Sequence, residues 1–210
     1  MIEKPVYAVI IAAGLSSRMG CYKPLLKIDG VPAVCCLLDR YRLGGIRHFI
    51  FVTGYNAQAL EDTCRSWQRT HSDTDLLFRY NDSYRTTEMI DSARLGFQAV
   101  PQTCGRVLFS PVDICLVSPD LIRSLAESPW DLVYPSCHYK KGHPAAFSAS
   151  FLKQLSSFCR EGGLKSAFRS LGVPPHYLVT DDETVLMDMD TPEDYEKSCR
   201  YAMAHPVVPR

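Results

Sequence analysis

The chain alternates between short apolar runs and longer stretches in which apolar residues recur every three or four positions. Val6 to Ile11 is a continuous β-favouring run that ends at Gly14. A run of that kind reads as a strand buried on both faces and followed by a tight turn, as at the start of a parallel α/β sheet. Pro32 opens a periodic stretch through Val34, Leu37, Leu38 and Tyr41 that stops at Gly44-Gly45, which predicts a helix with start and stop signals in the expected order. The same reading predicts a strand over His48 to Thr53, a helix over Asn56 to Arg69, a strand over Leu76 to Tyr80 and a helix over Glu88 to Val100. It continues with a strand over Arg106 to Ser110, a helix over Pro119 to Glu127 capped by Ser118, and a strand over Asp131 to Tyr134.

From His138 onward the pattern is less regular. It predicts a strand over Pro144 to Phe147, helices over Phe151 to Cys159 and Leu164 to Leu171, and short strands around Tyr177 and Val185. Thr191-Pro192-Glu193-Asp194 combines a capping threonine, a proline at the first helical position and acids in the first turn, so a last helix should run to about Ala204. Strands alternating with helices imply βαβ units, and hence a Rossmann-like three-layer α/β/α fold with a mostly parallel central sheet and a ligand site along its carboxyl edge.

Composition narrows this further. With 210 residues, 46% apolar and 22% charged, the chain reads as one domain over residues 1–204 with a loose tail at 205–210. Its 23 basic and 23 acidic side chains cancel, which argues against a nucleic-acid groove or an anionic membrane surface as partner. The apolar residues after Met1-Ile2-Glu3-Lys4-Pro5 are too few for a signal segment, and no run approaches the ~18 residues of a membrane span, so a cytoplasmic protein is expected. Nine cysteines, odd in number and never spaced Cys-x-x-Cys, write neither a zinc template nor a disulfide framework; they read as small apolar residues, with Cys21 set apart by its place in a glycine-bearing loop.

That loop carries the first candidate chemistry. Gly14 and Gly20 bracket it directly after a buried strand, where glycine lets the backbone present N–H groups to a phosphate. The spacing does not fit Gly-x-Gly-x-x-Gly, and no Gly-Lys-Ser/Thr follows, so the dinucleotide and P-loop readings fail. Arg18 and Lys23 supply two cations at the carboxyl end of the first strand, a set that suits a triphosphate; an ordinary strand-turn connection with two solvated cations is the alternative. Asp113 follows another buried strand in Ser110-Pro111-Val112-Asp113, where a carboxylate can hold Mg²⁺ between phosphate oxygens or else cap the next turn. In Asp188-Met189-Asp190 the carboxylates alternate, so an extended segment points both to one face, where they repel unless a cation or donor lies between them. A solvated acidic helix start is the other reading of this pair.

Ala12-Ala13-Gly14-Leu15-Ser16-Ser17-Arg18-Met19-Gly20-Cys21-Tyr22-Lys23-Pro24-Leu25-Leu26 resembles the nucleotide-binding signature of the MobA-like NTP transferases, and within them is most similar to the molybdenum cofactor cytidylyltransferases. The resemblance runs from about Val6 to Tyr195 and implies the nucleotide-diphospho-sugar transferase type of fold. It implies that Ala12, Ala13, Gly14 and Ser16 hold the nucleotide while Arg18 and Lys23 stabilise charge on departing pyrophosphate. Ala12-Ala13-Gly14 stands where guanylyl-transferring relatives carry Ala-Gly-Gly, which points to CTP.

Asn81, Met89 and Ser92 resemble the family's Asn, Gly-Met and serine segment, with Glu88 in place of glycine, and this marks Asn81 and Ser92 as nucleotide contacts. Asp113 resembles the metal-binding aspartate, although Ile114-Cys115 replaces the usual x-Pro. Asp188 and Asp190 resemble the acidic pair at the metal-phosphate site. Gly142-His143-Pro144 resembles a segment beside the acceptor, which assigns His143 to positioning.

The implied reaction transfers CMP from CTP, with Mg²⁺ as cofactor, to a phosphorylated small-molecule acceptor, with molybdopterin leading. A sugar phosphate or phosphorylated alcohol is the alternative acceptor. A non-catalytic paralogue that delivers nucleotide or cofactor to a partner is the alternative class, and docking to a molybdoenzyme goes with the leading reading. Lys23 reads as a kinetic residue whose loss would hardly change stability.

Overall fold

The computed structural model describes residues 4–16, 19–156 and 164–206. In chain order its strands are β1 (Val6–Ala12), β2 (Lys27–Ile28), β3 (Val31–Pro32), β4 (His48–Thr53), β5 (Asp75–Tyr80), β6 (Arg106–Pro111), β7 (Leu132–Cys137), β8 (Lys140–Lys141), β9 (Ala145–Ser148) and β10 (His176–Val179). Its helices are α1 (Ala33–Leu43), α2 (Ala57–Gln68), α3 (Met89–Gln98), α4 (Pro119–Glu127), α5 (Ala149–Ser156), α6 (Leu164–Ser170) and α7 (Pro192–Ala204), with single 3-10 turns at Lys23–Leu25 and Glu183–Leu186. The main sheet has the order β10-β7-β9-β6-β1-β4-β5, with β8 paired to β7.

Strands β1, β4, β5 and β6 are parallel neighbours, and β10 is parallel to β7; β9 lies between β6 and β7 and is antiparallel to both. The expected mostly parallel, three-layer α/β/α architecture is therefore present, with one reversed strand inside it. Period-two alternation explains the layers. Ala8, Ile10 and Ala12 of β1 enter one core with Leu37, Leu38, Leu60, Trp67, Ile122 and Leu125 of α1, α2 and α4. Val9 and Ile11 enter the opposite core with Ala93, Phe97, Phe151 and Leu155 of α3 and α5. Each fully buried Leu, Ile or Phe side chain contributes roughly 1.5–3 kcal/mol of burial free energy, so the doubly covered β1, β4 and β6 form a stiff centre.

Two local devices fix what stands around the carboxyl edge. Gly96 lets α3 lie directly on β1: a Cβ there would meet Val9 Cγ1 at 2.5 Å and Val52 Cγ2 at 3.0 Å. At the other end of the fold, the Thr191 hydroxyl accepts from Asp194 N while the Asp194 carboxylate accepts from Thr191 N, so α7 starts where its sequence signals place it.

Three details differ from the sequence reading. Val185 lies in the 3-10 turn rather than a strand, because Asp182 caps that turn by accepting from Thr184 N at 3.0 Å. Pro32 pairs with Lys27 in a two-stranded hairpin, and α1 begins one residue later. That hairpin turns on Asp29-Gly30, both at positive φ, the geometry that Asp-Gly pairs favour in a two-residue hairpin turn. Ser118 stands at the start of α4 but makes no side-chain cap; its backbone N–H instead donates to Asp182 at 3.0 Å. The predicted residues Ser157 to Cys159 of the α5 helix and 207–210 of the tail lie outside the described residues. Among the described residues no helix is long and apolar enough to cross a membrane, and the eight described cysteines are all free.

Candidate active site

The site forms where β1 and β6 end side by side. Ile11 pairs with Pro111 in the parallel register, and Val112 N continues the ladder by donating to Ile11 O at 3.0 Å, which brings Asp113 beside the loop that leaves β1. An open cleft of about 310 Å³ lies there, with Ile11, Ala12, Gly14, Leu15 and Ser16 on one side, Lys23 and Pro24 beneath, and Met89, Pro111, Val112, Asp113 and Asp190 completing it.

Gly14 has no neighbour within 4 Å of where a Cβ would stand, and its φ is not in the left-handed region. The turn itself therefore does not require glycine at this position; what glycine leaves is bare backbone facing open space in the cleft, where a ligand can approach. Ser16 ties the loop to its far end. Its carbonyl accepts from Met19 N at 3.1 Å and its hydroxyl accepts from Lys23 N at 3.3 Å. Ser17 and Arg18 lie outside the described residues.

Lys23 opens the 3-10 turn that Pro24 favours, and it is only 8% exposed. Its ammonium donates to Asp113 Oδ2 at 3.0 Å and to Asp190 Oδ1 at 2.5 Å, across 90 and 167 residues of chain. Burial alone would lower the Lys23 pKa, but the Asp190 and Asp113 carboxylates outweigh it and hold the amine above its ordinary value. The segment carrying Asp190 is pinned by Met189, which is fully buried in the core between the exposed Asp188 and the half-buried Asp190. Burial, with Asp190 and Asp113 nearby, raises the Asp188 carboxyl pKa, against the opposing pull of Lys23. Three carboxylates thus surround one ammonium, a formal −2 among these described groups.

His143 borders the same edge. Its backbone N donates to Val185 O at 2.9 Å, and Gly142 N donates to Pro135 O at 2.9 Å. A Cβ on Gly142 would meet Val185 O and Cγ2 at 2.6 Å, so only glycine permits this docking. The peptide bond to Pro144 is cis. Burial lowers the His143 pKa, although a backbone bond at Phe109 and the Asp113 carboxylate act the other way, so the ring is neutral at pH 7.

Of the residues named from sequence, the structure gathers Ala12, Gly14, Ser16, Lys23, Asp113 and Asp190 at one cleft, with Asp188 and His143 within electrostatic reach of Asp113. It does not bring Asn81, Ser92 or Ala13 to the cleft wall. Asn81 Nδ2 donates to Ser92 Oγ and Thr87 Oγ1, both at 3.0 Å, and its Oδ1 accepts from Ser83 N at 3.1 Å, so the pair orders the loop that leads into α3. Glu88, at the start of α3, has extended backbone and needs no glycine there; its N–H donates to Asp91 at 3.1 Å. Sequence reasoning missed Gly54, where a Cβ would meet Ala13 O and Tyr84 Cβ at 2.7 Å. The signal available was a glycine directly after the β4 apolar run.

Among the described residues no group of three or more His, Cys, Asp or Glu is arranged to hold a metal by itself. The donors at the cleft are carboxylate oxygens, which suit a hard cation. Mg²⁺ typically binds through one or two carboxylates plus substrate phosphates, so Asp113 and Asp190 fit an ion that shares its coordination with a triphosphate.

The MobA-like NTP transferase domain matches residues 8–176. This chain belongs to that family. It is thereby a nucleotidyltransferase-type protein, and the glycine loop and Lys23 of this MobA-like domain fall inside the matched span. No curated protein matches it. Among solved structures it is similar to a nucleotidyl transferase from Methanothermobacter thermautotrophicus, with a TM-score of 0.78, 21% identity and coverage of 96% of this chain and 99% of that one. It is also similar to Rv0371c of Mycobacterium tuberculosis H37Rv in complex with manganese, with a TM-score of 0.72, 20% identity and coverage of 94% and 98%. A third is 4-diphosphocytidyl-2C-methyl-D-erythritol synthase from Anaerococcus prevotii, with a TM-score of 0.71, 18% identity and coverage of 95% and 96%.

Proposed function

We propose that this MobA-like domain transfers CMP from CTP to a phosphorylated acceptor, with molybdopterin as the leading acceptor, and releases pyrophosphate. The observation that carries the reading is the Lys23 ammonium held between Asp113 and Asp190 beneath the bare backbone of Gly14. A site of formal −2 repels a free triphosphate, whereas a triphosphate bound with a divalent cation brings the countercharge the carboxylates need. Mg²⁺ held there by Asp113 and Asp190 would neutralise charge on the transferred and leaving phosphates.

The chain's own contribution is alignment and charge. Lys23 is already a cation at the cleft floor and can pass its hydrogen bonds from carboxylate to phosphate oxygen as charge builds on the pyrophosphate. Arg18 joins it through the family resemblance. The acceptor phosphate is anionic before it attacks the α-phosphorus, so no general base is required, which agrees with a neutral, positioning His143. The choice of CTP rests on Ala12-Ala13-Gly14 and the family resemblance. One fold neighbour is named for a diphosphocytidyl product on a methylerythritol, and this supports a phosphorylated alcohol as the second acceptor class.

Pyrophosphate release with Mg²⁺, measured for CTP and GTP against molybdopterin and against phosphorylated alcohols, tests the proposal. Release with CTP and molybdopterin supports it. Faster turnover with GTP would move the protein to guanylyl transfer, and no release with any pair would leave a nucleotide-binding paralogue.

A further inference from the structure

A second cleft lies at the opposite end of the same strands. It is about 530 Å³, larger than the first, and is walled by residues at the amino ends of β1, β4 and β6 together with the end of α4. Val6 pairs with Arg106 at this end, and Ile11 pairs with Pro111 at the other, so roughly 17 Å of strand separates the two clefts at ~3.3 Å per residue.

The charges here are uneven in a telling way. Arg47 is bound to Asp73 at 2.8 Å and Arg123 to Asp120 at 3.0 Å, so those cations are already answered, and the His48 ring is bonded to Asp75 at 2.9 Å. Arg106 is not. It is only 7% exposed, its Nη2 donates to Trp130 O at 2.8 Å, and its Nη1 is buried without any hydrogen-bond partner. Asp131 is the carboxylate that acts on it through space, but its Oδ1 already accepts from the hydroxyls of Ser148 and Ser150, and among the described residues Arg106 forms no ion pair. Guanidinium does not deprotonate in proteins, so the charge stays, and its burial outweighs the pull of Asp131.

Lys4 adds a second such cation. Gly105, next to Arg106, admits the stem of Lys4: a Cβ there would meet Lys4 Cβ at 2.7 Å. Lys4 is exposed at the cleft and has no ion-pair or hydrogen-bond partner among the described residues. Glu127 is the cleft's own acid. Two cations without an ion-pair partner, one of them desolvated, that line the same open cavity are stabilised when an anion lies between them.

We propose that this cleft is an anion site, separate from the active site, that takes a phosphate-type oxoanion on Arg106 and Lys4. Arg106 lines the cleft, and an entering oxoanion would draw the unpartnered Nη1 arm of its planar fork to one oxygen while Lys4 supplies a mobile point charge to another. The ligand is either a free oxoanion, such as phosphate or pyrophosphate, or the phosphate end of a nucleotide.

Isothermal titration at constant ionic strength with inorganic phosphate, pyrophosphate and CMP tests this, using the full chain carrying Lys23→Ala so that the active-site cation is removed. One saturable site should remain. Adding Arg106→Met should weaken it at least tenfold, and adding Lys4→Ala at least threefold, with thermal melts showing that both chains stay folded. Backbone amide shifts on titration should appear at Gly45, Arg47 and Gly105. Tighter pyrophosphate identifies a free oxoanion and tighter CMP a nucleotide; both support the site. If Arg106→Met does not fold, Lys4→Ala decides alone. No saturable binding in the Lys23→Ala chain, unchanged affinity in Lys4→Ala, or shifts confined to Gly14 through Lys23 would overturn the proposal. None of these readouts depends on turnover, so the result stands apart from the activity proposed for the first cleft.

Discussion

Removing the Lys23 ammonium tests the centre of the site more sharply than any other change. In Lys23→Ala the carboxylates of Asp113 and Asp190 lose their common donor and face each other, with Asp188 nearby. Hydrogen bonds to charged groups contribute roughly 1.5–3 kcal/mol each, and breaking a fully buried pair by deleting one partner costs about 3–5 kcal/mol. The two aspartates remain 17% and 22% exposed, so water screens part of that repulsion and a loss of about 2–3 kcal/mol is expected at neutral pH. For a chain of this length that is a fall in Tm of roughly 4–12 °C. This revises the expectation from sequence that Lys23 matters for rate alone, because a lysine between two acids is not a solvated surface group.

The sign with pH follows from the raised Lys23 pKa. Its stabilising contribution is fully present below the unfolded lysine value of about 10.4 and is lost as pH rises through the higher folded value. Thermal melts of wild type and variant should therefore differ fully at pH 7–9, begin to approach each other above about pH 10.4 and meet only beyond the higher folded value. Mg²⁺ should restore part of the variant's Tm by replacing the lost cation. In steady-state kinetics kcat should drop on the order of 10²-fold or more, with a smaller change in KM. Equal melting curves at pH 7 together with a normal kcat would refute the reasoning, since they would mean the two contacts carry no energy.

Asp113→Asn should leave the chain folded yet abolish most metal-dependent pyrophosphate release, and wild-type turnover at saturating Mg²⁺ would count against a metal role. Asp188→Asn should raise the Tm slightly in metal-free buffer: the raised pKa means that ionised Asp188 is a cost above the ordinary aspartate range, so the gain appears at pH 7 and vanishes below about pH 3.9. A lower Tm at pH 7 would show that its carboxylate is stabilising instead. Gly96→Ala should destabilise by about 1–3 kcal/mol, since the added methyl overlaps Val9 and Val52 where α3 lies on β1; an unchanged urea midpoint would show that α3 moves aside without cost.

The parts of the fold that were legible in sequence are those with a local cause. The β1, β4 and β6 runs are apolar through their centres because both faces are covered. The stop at Gly44 and the Thr191 cap are written within four residues. The direction of β9 was not legible, because a four-residue apolar strand carries no signal for parallel or antiparallel pairing. Val185 looked like a strand since a buried valine in a short segment has no period, and its turn is set by Asp182 rather than by its own side chain.

The candidate site divides in the same way. Lys23, Gly14 and Asp113 stand out beside strand ends, whereas the ion pair that joins Lys23 to Asp190 spans 167 residues and needs the folded sheet to exist. Asn81 and Ser92 illustrate the converse: the hydrogen bond that joins these two polar residues at 3.0 Å has no signal in the sequence.

The reversed strand has a consequence for how such a protein can diverge. At the carboxyl edge, β1, β4, β5 and β6 each hand the chain outward into a segment that must then reach a covering helix, so altering that segment risks the layers. β9 runs the other way, and the chain arrives there from β8 through Gly142, His143 and Pro144. This arriving stretch is anchored by backbone bonds to Pro135 and Val185 and by the space that Gly142 leaves. Because this hold is through backbone, and because Gly142 and Pro144 are buried while His143 is only half-buried, position 143 is where a change of side chain, and with it a shift in acceptor preference, meets least resistance from folding.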